Sequence, residues 1–142
     1  MLSKQRLLRL SRHELGRLFA GGYAGQIPNG AAQGTALMLP GSTFNAALAE
    51  FVRLFVWQGK TFDANRGELR NRITPLGLHA VRARVYVAAS RFDGKPCIVL
   101  DYSKTSFIAR FIRDEVRAIA PGLYLGRVYI GKRPAFGFCL EM

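Results

Sequence analysis

The stretch that decides the fold lies at residues 81–102 and reads VRARVYVAASRFDGKPCIVLDY. Its first part alternates apolar residues with Arg82, Arg84 and Tyr86, and a period of two is typical of a strand with one covered face. Asp93-Gly94 favours a tight turn, and the apolar run at 97–100 is typical of a strand covered on both faces. The pattern predicts an antiparallel hairpin.

Further strands are predicted on both sides of this hairpin. A short apolar run at 35–39 is closed by a Pro-Gly pair, and the strand signal strengthens again from Trp57 onward. Two last strands are predicted at 123–130 and 135–141, with a turn between them.

Three other segments have helical spacing. Residues 5–20 form a basic amphipathic pattern without interruption, and a second helix, capped by Ser42 or Thr43, runs to about residue 56. A third helix is predicted over 106–119. This order has no βαβ alternation, so it predicts an α+β fold: two to three helices packed on a curved antiparallel sheet, a small barrel or a half-barrel.

Size and composition indicate one folded domain. The 142 residues are 49% hydrophobic and 21% charged, a balance typical of globular proteins that need no disulfide or metal to fold. We expect a single domain over 1–142, with the basic amphipathic helix at 1–20 and a barrel-like core over 21–142. Neither a membrane span nor the apolar core of a secretory signal is evident, which predicts a cytoplasmic protein.

The charge is unusual, since 21 Lys and Arg oppose nine Asp and Glu and give a formal net charge of +12. Such an excess attracts nucleic acid, anionic lipid or an acidic ligand, or is simply a solvated surface. Residues 1–20 could lie on an anionic membrane surface, although such helices more often pack on their own domain. Arginines beside Tyr86 resemble a platform for single-stranded nucleic acid, but an RNP-like aromatic motif is missing, so we do not expect nucleic acid as a partner.

The cysteines and histidines give no metal-binding spacing. Cys97 and Cys139 stand alone in apolar stretches and predict two buried free thiols, with a disulfide as the alternative if their strands are neighbours. Neither a Walker loop nor a GxSxG motif is present, and the sequence leaves the cofactor unknown. His79 could be a general base, a haem ligand or a structural residue.

Two clusters are candidates for chemistry. Asp101-Tyr102 ends an apolar strand, where a carboxylate is costly unless it has a partner. It could be a polar anchor or a proton acceptor at the mouth of an apolar pocket. Alternatively, it binds the amides of the turn or a nearby arginine. In the segment from Trp57 to Phe62, the two aromatics could line a cavity with Lys60 at its rim, or could be ordinary core beside a solvated lysine.

Three blocks of the sequence resemble a family of bacterial proteins named for a Gly-x-Trp-x-Gly motif. The opening block runs from Gly21 through Tyr23, which stands where the family has tryptophan, to Pro28-Asn-Gly30. The second is Trp57-Gln-Gly-Lys-Thr-Phe62, and the third is the turn at 93–96 followed by Asp101-Tyr102. The resemblance covers residues 21–102 and the final strands. It implies a calycin-like barrel, of lipocalin or fatty-acid-binding type, with an internal apolar cavity and no particular activity.

These expectations favour a protein that binds an apolar small molecule, such as a lipid, a fatty acid or a porphyrin-like compound. The predicted lining residues are Trp57, Phe62, Tyr86, Tyr124, Phe136 and Phe138. Lys60, Arg82 or Arg84 would attract a ligand carboxylate, and Asp101 and Tyr102 would orient it. One alternative is a small isomerase, cyclase or hydrolase with Asp101 or His79 as general base and Tyr102 or Tyr124 as acid. A second is a basic module that binds nucleic acid or a membrane surface.

Overall fold

The structure is a computed structural model that describes residues 2–37, 57–73, 78–104 and 110–142. For residues 36, 57–59, 70–73 and 78–82 it describes the backbone alone. The helix predicted to start at Ser42 or Thr43 therefore lies outside the described residues.

Eight antiparallel strands form a closed barrel in which every strand pairs with its neighbours in the chain. The strands are β1 (Gly30–Leu37), β2 (Trp57–Asp63), β3 (Glu68–Ile73), β4 (Leu78–Ala89), β5 (Pro96–Asp101), β6 (Ile112–Ala120), β7 (Leu123–Ile130) and β8 (Arg133–Glu141). Two helices, α1 (Lys4–Leu7) and α2 (Arg12–Gly21), precede them. Neither helix, within the described chain, has the length and hydropathy of a membrane span.

The sheet closes on itself, which confirms the predicted antiparallel barrel, whereas the half-barrel alternative is not confirmed. β1 pairs with β8 along five residue pairs, from Gln33 opposite Glu141 to Leu37 opposite Gly137. The predicted hairpin is confirmed as β4 and β5, and Gly94 adopts the positive φ of 75° that its turn requires. The predicted strand at 123–130 is confirmed as β7.

The helix predicted over 106–119 is wrong where the structure describes it, because residues 112–120 form β6. This strand is covered on both faces, and its central residues 114–118 are all buried. Charged side chains such as Glu115 and Arg117 face the covered outer side of the barrel and are satisfied by partners on other elements. A strand of this kind lacks simple alternation, and its apolar residues coincidentally match helical spacing.

The N-terminal region forms two helices instead of the predicted continuous one. Ser11 is the N-cap of α2: its Oγ accepts from the Glu14 N–H at 3.1 Å, and the Glu14 carboxylate accepts from the Ser11 N–H at 3.4 Å. Because a capping box fixes non-helical backbone at its first residue, Ser11 separates α2 from α1.

The barrel has apolar clusters on both faces of its wall. The inner core lies inside the barrel and comprises Ala32, Phe62, Leu69, Ala83, Val85, Ile98, Leu100, Tyr102, Val116, Val128, Phe138 and Leu140. The outer core lies under the helices and comprises Leu7, Leu15, Phe19, Leu37, Cys97, Val99, Leu123, Leu125 and Cys139. Both cysteines are buried and free, as predicted.

The two ends of the barrel differ. At one end the segment between α2 and β1 crosses the barrel: Tyr23 bridges to Ala118 through two backbone hydrogen bonds, and Ala24 and Ile27 pack against the inner core. At the other end, where β6 begins and β7 finishes, the inward-facing Ile112 and Ile130 are half-buried. Among the described residues, these two leave part of the inner apolar surface exposed at this second end, here called the mouth.

Candidate functional site

Three polar side chains meet inside the barrel. Lys60 Nζ lies 3.3 Å from Asp114 Oδ2 and donates a hydrogen bond of 2.9 Å to the Tyr102 hydroxyl. The Tyr102 hydroxyl in turn donates to Asp114 Oδ2 at 3.4 Å. All three residues are at most 4% exposed. We refer to Lys60, Tyr102 and Asp114 as the inner triad.

Strand geometry brings the inner triad together. Lys60 lies on β2 two residues before the inward-facing Phe62, and Asp114 lies on β6 two residues before the inward-facing Val116, so the strand period of two turns both inward. Tyr102 directly follows β5. Since β2 and β6 are four strands apart in a ring of eight, the Lys60–Asp114 ion pair connects opposite walls of the barrel.

Burial strongly affects both charged members of the inner triad. Desolvation lowers the pKa of Lys60, and the nearby Asp114 carboxylate opposes this change. Desolvation likewise raises the pKa of Asp114, against the opposing effects of Lys60 and of the Tyr102 hydrogen bond. Burial therefore disfavours the charged form of both residues, and the attraction between Lys60 and Asp114 opposes this effect in each.

One atom of the inner triad lacks a partner. Asp114 Oδ1 is buried and accepts no hydrogen bond within the described part of the chain. A buried carboxylate oxygen without a donor costs about 1–3 kcal/mol, so such an atom in a folded protein requires an explanation. A bound molecule that supplies the missing partner is one such explanation.

Aromatic rings surround the inner triad. Lys60 Nζ lies 5.4 Å from the centre of the Phe138 ring and 5.7 Å from that of Tyr102, which are cation–π distances. The Phe138 ring covers Gly126 so closely that a Cβ there would lie 2.2 Å from a ring carbon. Gly126 therefore makes room for the ring that contacts Lys60.

Several predicted lining residues do face the interior. Phe62 and Phe138 belong to the inner core, and the half-buried Tyr124 and Phe136 pack against it. Lys60 is also inside, where it is 2% exposed, so its predicted place at the rim is wrong. The reason is that its ion-pair partner lies on the opposite wall and the lysine side chain extends inward to reach it.

Tyr86, Arg84 and Asp101 lie on the outer face, so they do not line the interior as predicted. Tyr86 packs against the outer core, and Arg84 is exposed and opposite Asp101 in the β4–β5 register. Asp101 accepts from the Tyr86 hydroxyl at 2.8 Å and from the Ser103 N–H and hydroxyl at 2.9 and 2.6 Å. The strand period separates Asp101 from Tyr102: adjacent residues point to opposite faces.

The remaining predicted site residues can be placed by their backbone alone. Trp57 begins β2, and His79 and Arg82 lie on β4. Their side chains are outside what the structure describes, so their predicted roles remain predictions.

Asp114 was missed by the sequence reasoning, which placed it on the polar face of a helix. The available signal was the alternation of Ile112, Asp114, Val116 and Ala118, which is the inward-facing series of a strand. A carboxylate within such a series predicts a buried partner of opposite charge.

A second buried charged group holds α2 on the outer face of the barrel. Arg117 is 1% exposed and forms a bidentate pair with Asp93 through two bonds of 2.7 Å. It also donates to the backbone oxygens of Phe19, Lys95 and Pro96. Because these donors are all directed at protein acceptors, we regard Arg117 as structural.

Comparison with known proteins identifies the fold class. No family model matches the chain, and no curated protein has a similar sequence. A crystal structure of a protein from Thermomonospora curvata is similar, with a TM-score of 0.64 and 20% sequence identity over 96% of this chain and 95% of that chain. At this identity the similarity establishes a shared antiparallel β-barrel fold and nothing about function.

Proposed function

We propose that this protein is a calycin-like binding protein that holds an apolar small molecule inside its barrel, with the inner triad as the polar anchor. The observation that carries the proposal is Asp114 Oδ1, a buried acceptor that has no partner among the described residues and lies in a largely apolar interior. Ligand pockets commonly combine an apolar lining with a few convergent polar groups of this kind.

The shape of the barrel supports this proposal. Barrels of eight strands are the size that either fills with side chains or holds one small ligand. One end is covered by Ala24 and Ile27, whereas Ile112, Ile130 and Phe136 leave apolar surface half-exposed at the mouth. An apolar ligand that entered at the mouth would contact this surface and extend from it toward the inner triad.

Catalysis by Asp101 is a weaker hypothesis than binding. Burial acts to raise the pKa of Asp101, but hydrogen bonds from Ser103 and Tyr86 outweigh it and lower the pKa. A carboxylate with a lowered pKa is a poor general base near neutral pH. Asp101 also lies on the outer face, away from the apolar interior and from Tyr102.

Contact with an anionic membrane surface through residues 1–20 would have to rely on charge. Leu7, Leu15 and Phe19 are buried in the outer core, so the apolar face of this region is already covered by the barrel. The observations therefore favour the barrel interior over the helices as the functional part of the molecule.

Titration with Nile red, an uncharged dye that fluoresces in apolar surroundings, tests the proposal. We expect a saturable signal with one site per chain in the wild-type protein. Ile130→Trp places a large ring at the mouth and should weaken binding at least tenfold. Leu8→Trp, at the C-cap of α1 where Leu8 is 52% exposed, is the matched control and should bind like wild type.

Two outcomes would contradict the proposal. One is the lack of a saturable signal in wild-type protein, and the other is equal dye binding by the Ile130→Trp and wild-type proteins. Melting temperatures of both variants establish that a loss of binding is not a loss of fold.

A further inference from the structure

We infer that the polar end of the ligand is an uncharged hydroxyl group, bound at Asp114 Oδ1, and that the site discriminates against carboxylates. This inference rests on the proposed function and names the ligand class for the same site. It departs from the sequence-based expectation that Lys60 attracts a ligand carboxylate.

The first step of the argument is charge balance. Lys60 has a counter-charge 3.3 Å away in Asp114, and the pair is nearly fully buried. If the proton is instead on Asp114, Lys60 is a neutral amine, and the pair still carries no net charge. Against the charges of the described side chains, a ligand carboxylate would therefore add an uncompensated buried negative charge, which is strongly unfavourable in an apolar interior.

The second step is the direction of the hydrogen bonds. The ammonium group of Lys60 already donates to Tyr102, and the Tyr102 hydroxyl donates to Asp114 Oδ2. The unpartnered atom is an acceptor, Asp114 Oδ1, so the group that completes the network must donate. A carboxylate cannot donate and would instead place its oxygens against the Asp114 carboxylate.

The third step is the choice of a hydroxyl among donors. A hydroxyl adds no charge, and it can accept as well as donate, so it suits Asp114 in either protonation state. An ammonium group would donate too, but it would add a positive charge beside Lys60, which burial already disfavours. An alcohol with an apolar body thus fits both the inner triad and the inner core.

Competition between two ligands of equal chain length tests the inference. Dodecan-1-ol and dodecanoate displace Nile red from wild-type protein at pH 8, where the acid is ionised. We expect the alcohol to bind about tenfold more tightly or better, since a hydrogen bond to a charged group contributes about 1.5–3 kcal/mol. Asp114→Asn removes the counter-charge of Lys60 and should shift the preference toward dodecanoate by about tenfold or more.

Asp101→Asn is the matched control. It makes the same chemical change in a carboxylate on the outer face, and it should leave the preference of the wild type unchanged. Tighter binding of dodecanoate than of the alcohol by wild-type protein would overturn the inference while the proposed function stands. Failure of wild-type protein to bind Nile red and both ligands would instead refute the proposed function. The wild-type comparison decides the question even if the Asp114→Asn variant does not fold.

Discussion

Replacement of Arg117 by methionine tests how α2 is held on the barrel. The guanidinium makes five hydrogen bonds: two to the Asp93 carboxylate at 2.7 Å and three to backbone oxygens between 3.0 and 3.1 Å. Its carbon also lies 4.5 Å from the centre of the Phe19 ring. Methionine keeps an apolar stem of similar length but supplies no donor, so all five acceptors would lose a partner.

The expected loss of stability in Arg117→Met follows from the burial of the Arg117–Asp93 ion pair. Removing one partner of a buried ion pair costs about 3–5 kcal/mol. The Asp93 side chain is 18% exposed, so water can solvate part of the carboxylate, and we expect a loss in the free energy of unfolding near the lower value, about 3 kcal/mol. For a chain of this length the melting temperature would fall by about 10 °C.

Urea denaturation followed by circular dichroism measures the change. Arg127→Met is the control, because Arg127 is half-buried and stacks on Phe92 at 4.2 Å, and no carboxylate of the described residues forms an ion pair with it. We expect this control to lose about 1 kcal/mol or less. An Arg117→Met variant within about 1 kcal/mol of wild type would refute the reasoning, because five lost hydrogen bonds cannot then have contributed as argued.

Three further predictions concern packing, acid stability and thiol chemistry. Gly126→Ala places a Cβ 2.2–2.5 Å from three atoms of the Phe138 ring and should lower the free energy of unfolding, measured by urea denaturation, by about 1–3 kcal/mol. Phe138→Leu in the same chain should restore part of this loss, and a double variant whose loss equals the sum of the two single losses would contradict this. The Asp93 pKa is lowered to about 2 mainly by its hydrogen bonds from Arg117, so the stability of the wild-type protein should decrease as pH falls from about 4 toward 2. The melting temperature of Asp93→Asn should lack this decrease, and melting temperatures of the two proteins that fall in parallel with pH would contradict the prediction. Burial raises the pKa of Cys97 to about 11, so iodoacetamide at pH 8 should label this thiol in urea and not in the native protein. Mass spectrometry of the peptide that contains Cys97 measures the labelling, and rapid labelling of the native protein would contradict the buried position.

Local signals predicted the parts of the fold that depend on neighbouring residues. The β4–β5 hairpin is encoded by alternation, an Asp-Gly turn and a short connection, all within residues 81–102. β7 is likewise bounded by turn residues on both sides. In each case the strand and its partner are adjacent in the chain, so a local pattern carries enough information.

The closure of the barrel could not be predicted in this way. β1 reads GAAQGTAL, and its small residues give a weak strand signal. Its pairing with β8 joins residues from opposite ends of the sequence, and no local pattern specifies that register. β6 was misassigned for a related reason, because the partners that satisfy its buried charges lie on distant elements.

The candidate site was predicted in part. Lys60 and Tyr102 were both singled out, the lysine at the rim of a cavity and the tyrosine as an orienting group, and the aromatic residues Phe62 and Phe138 were expected inside. Asp114 escaped because residues 106–119 were predicted to be a helix, whereas its ion pair depends on a strand that faces the opposite wall of the barrel. Asp101 was overvalued, since one step along a strand reverses the face that a side chain occupies.

The pairing of the first strand with the last has a consequence for biosynthesis. During translation β1 is made well before its partner residues 137–141. Until then the nascent sheet has two unpaired edges, and such edges bind other extended chains readily. Exchange of β8 between two newly made molecules would satisfy both edges, so dimers with swapped β8 strands are the expected by-product of rapid synthesis at high concentration.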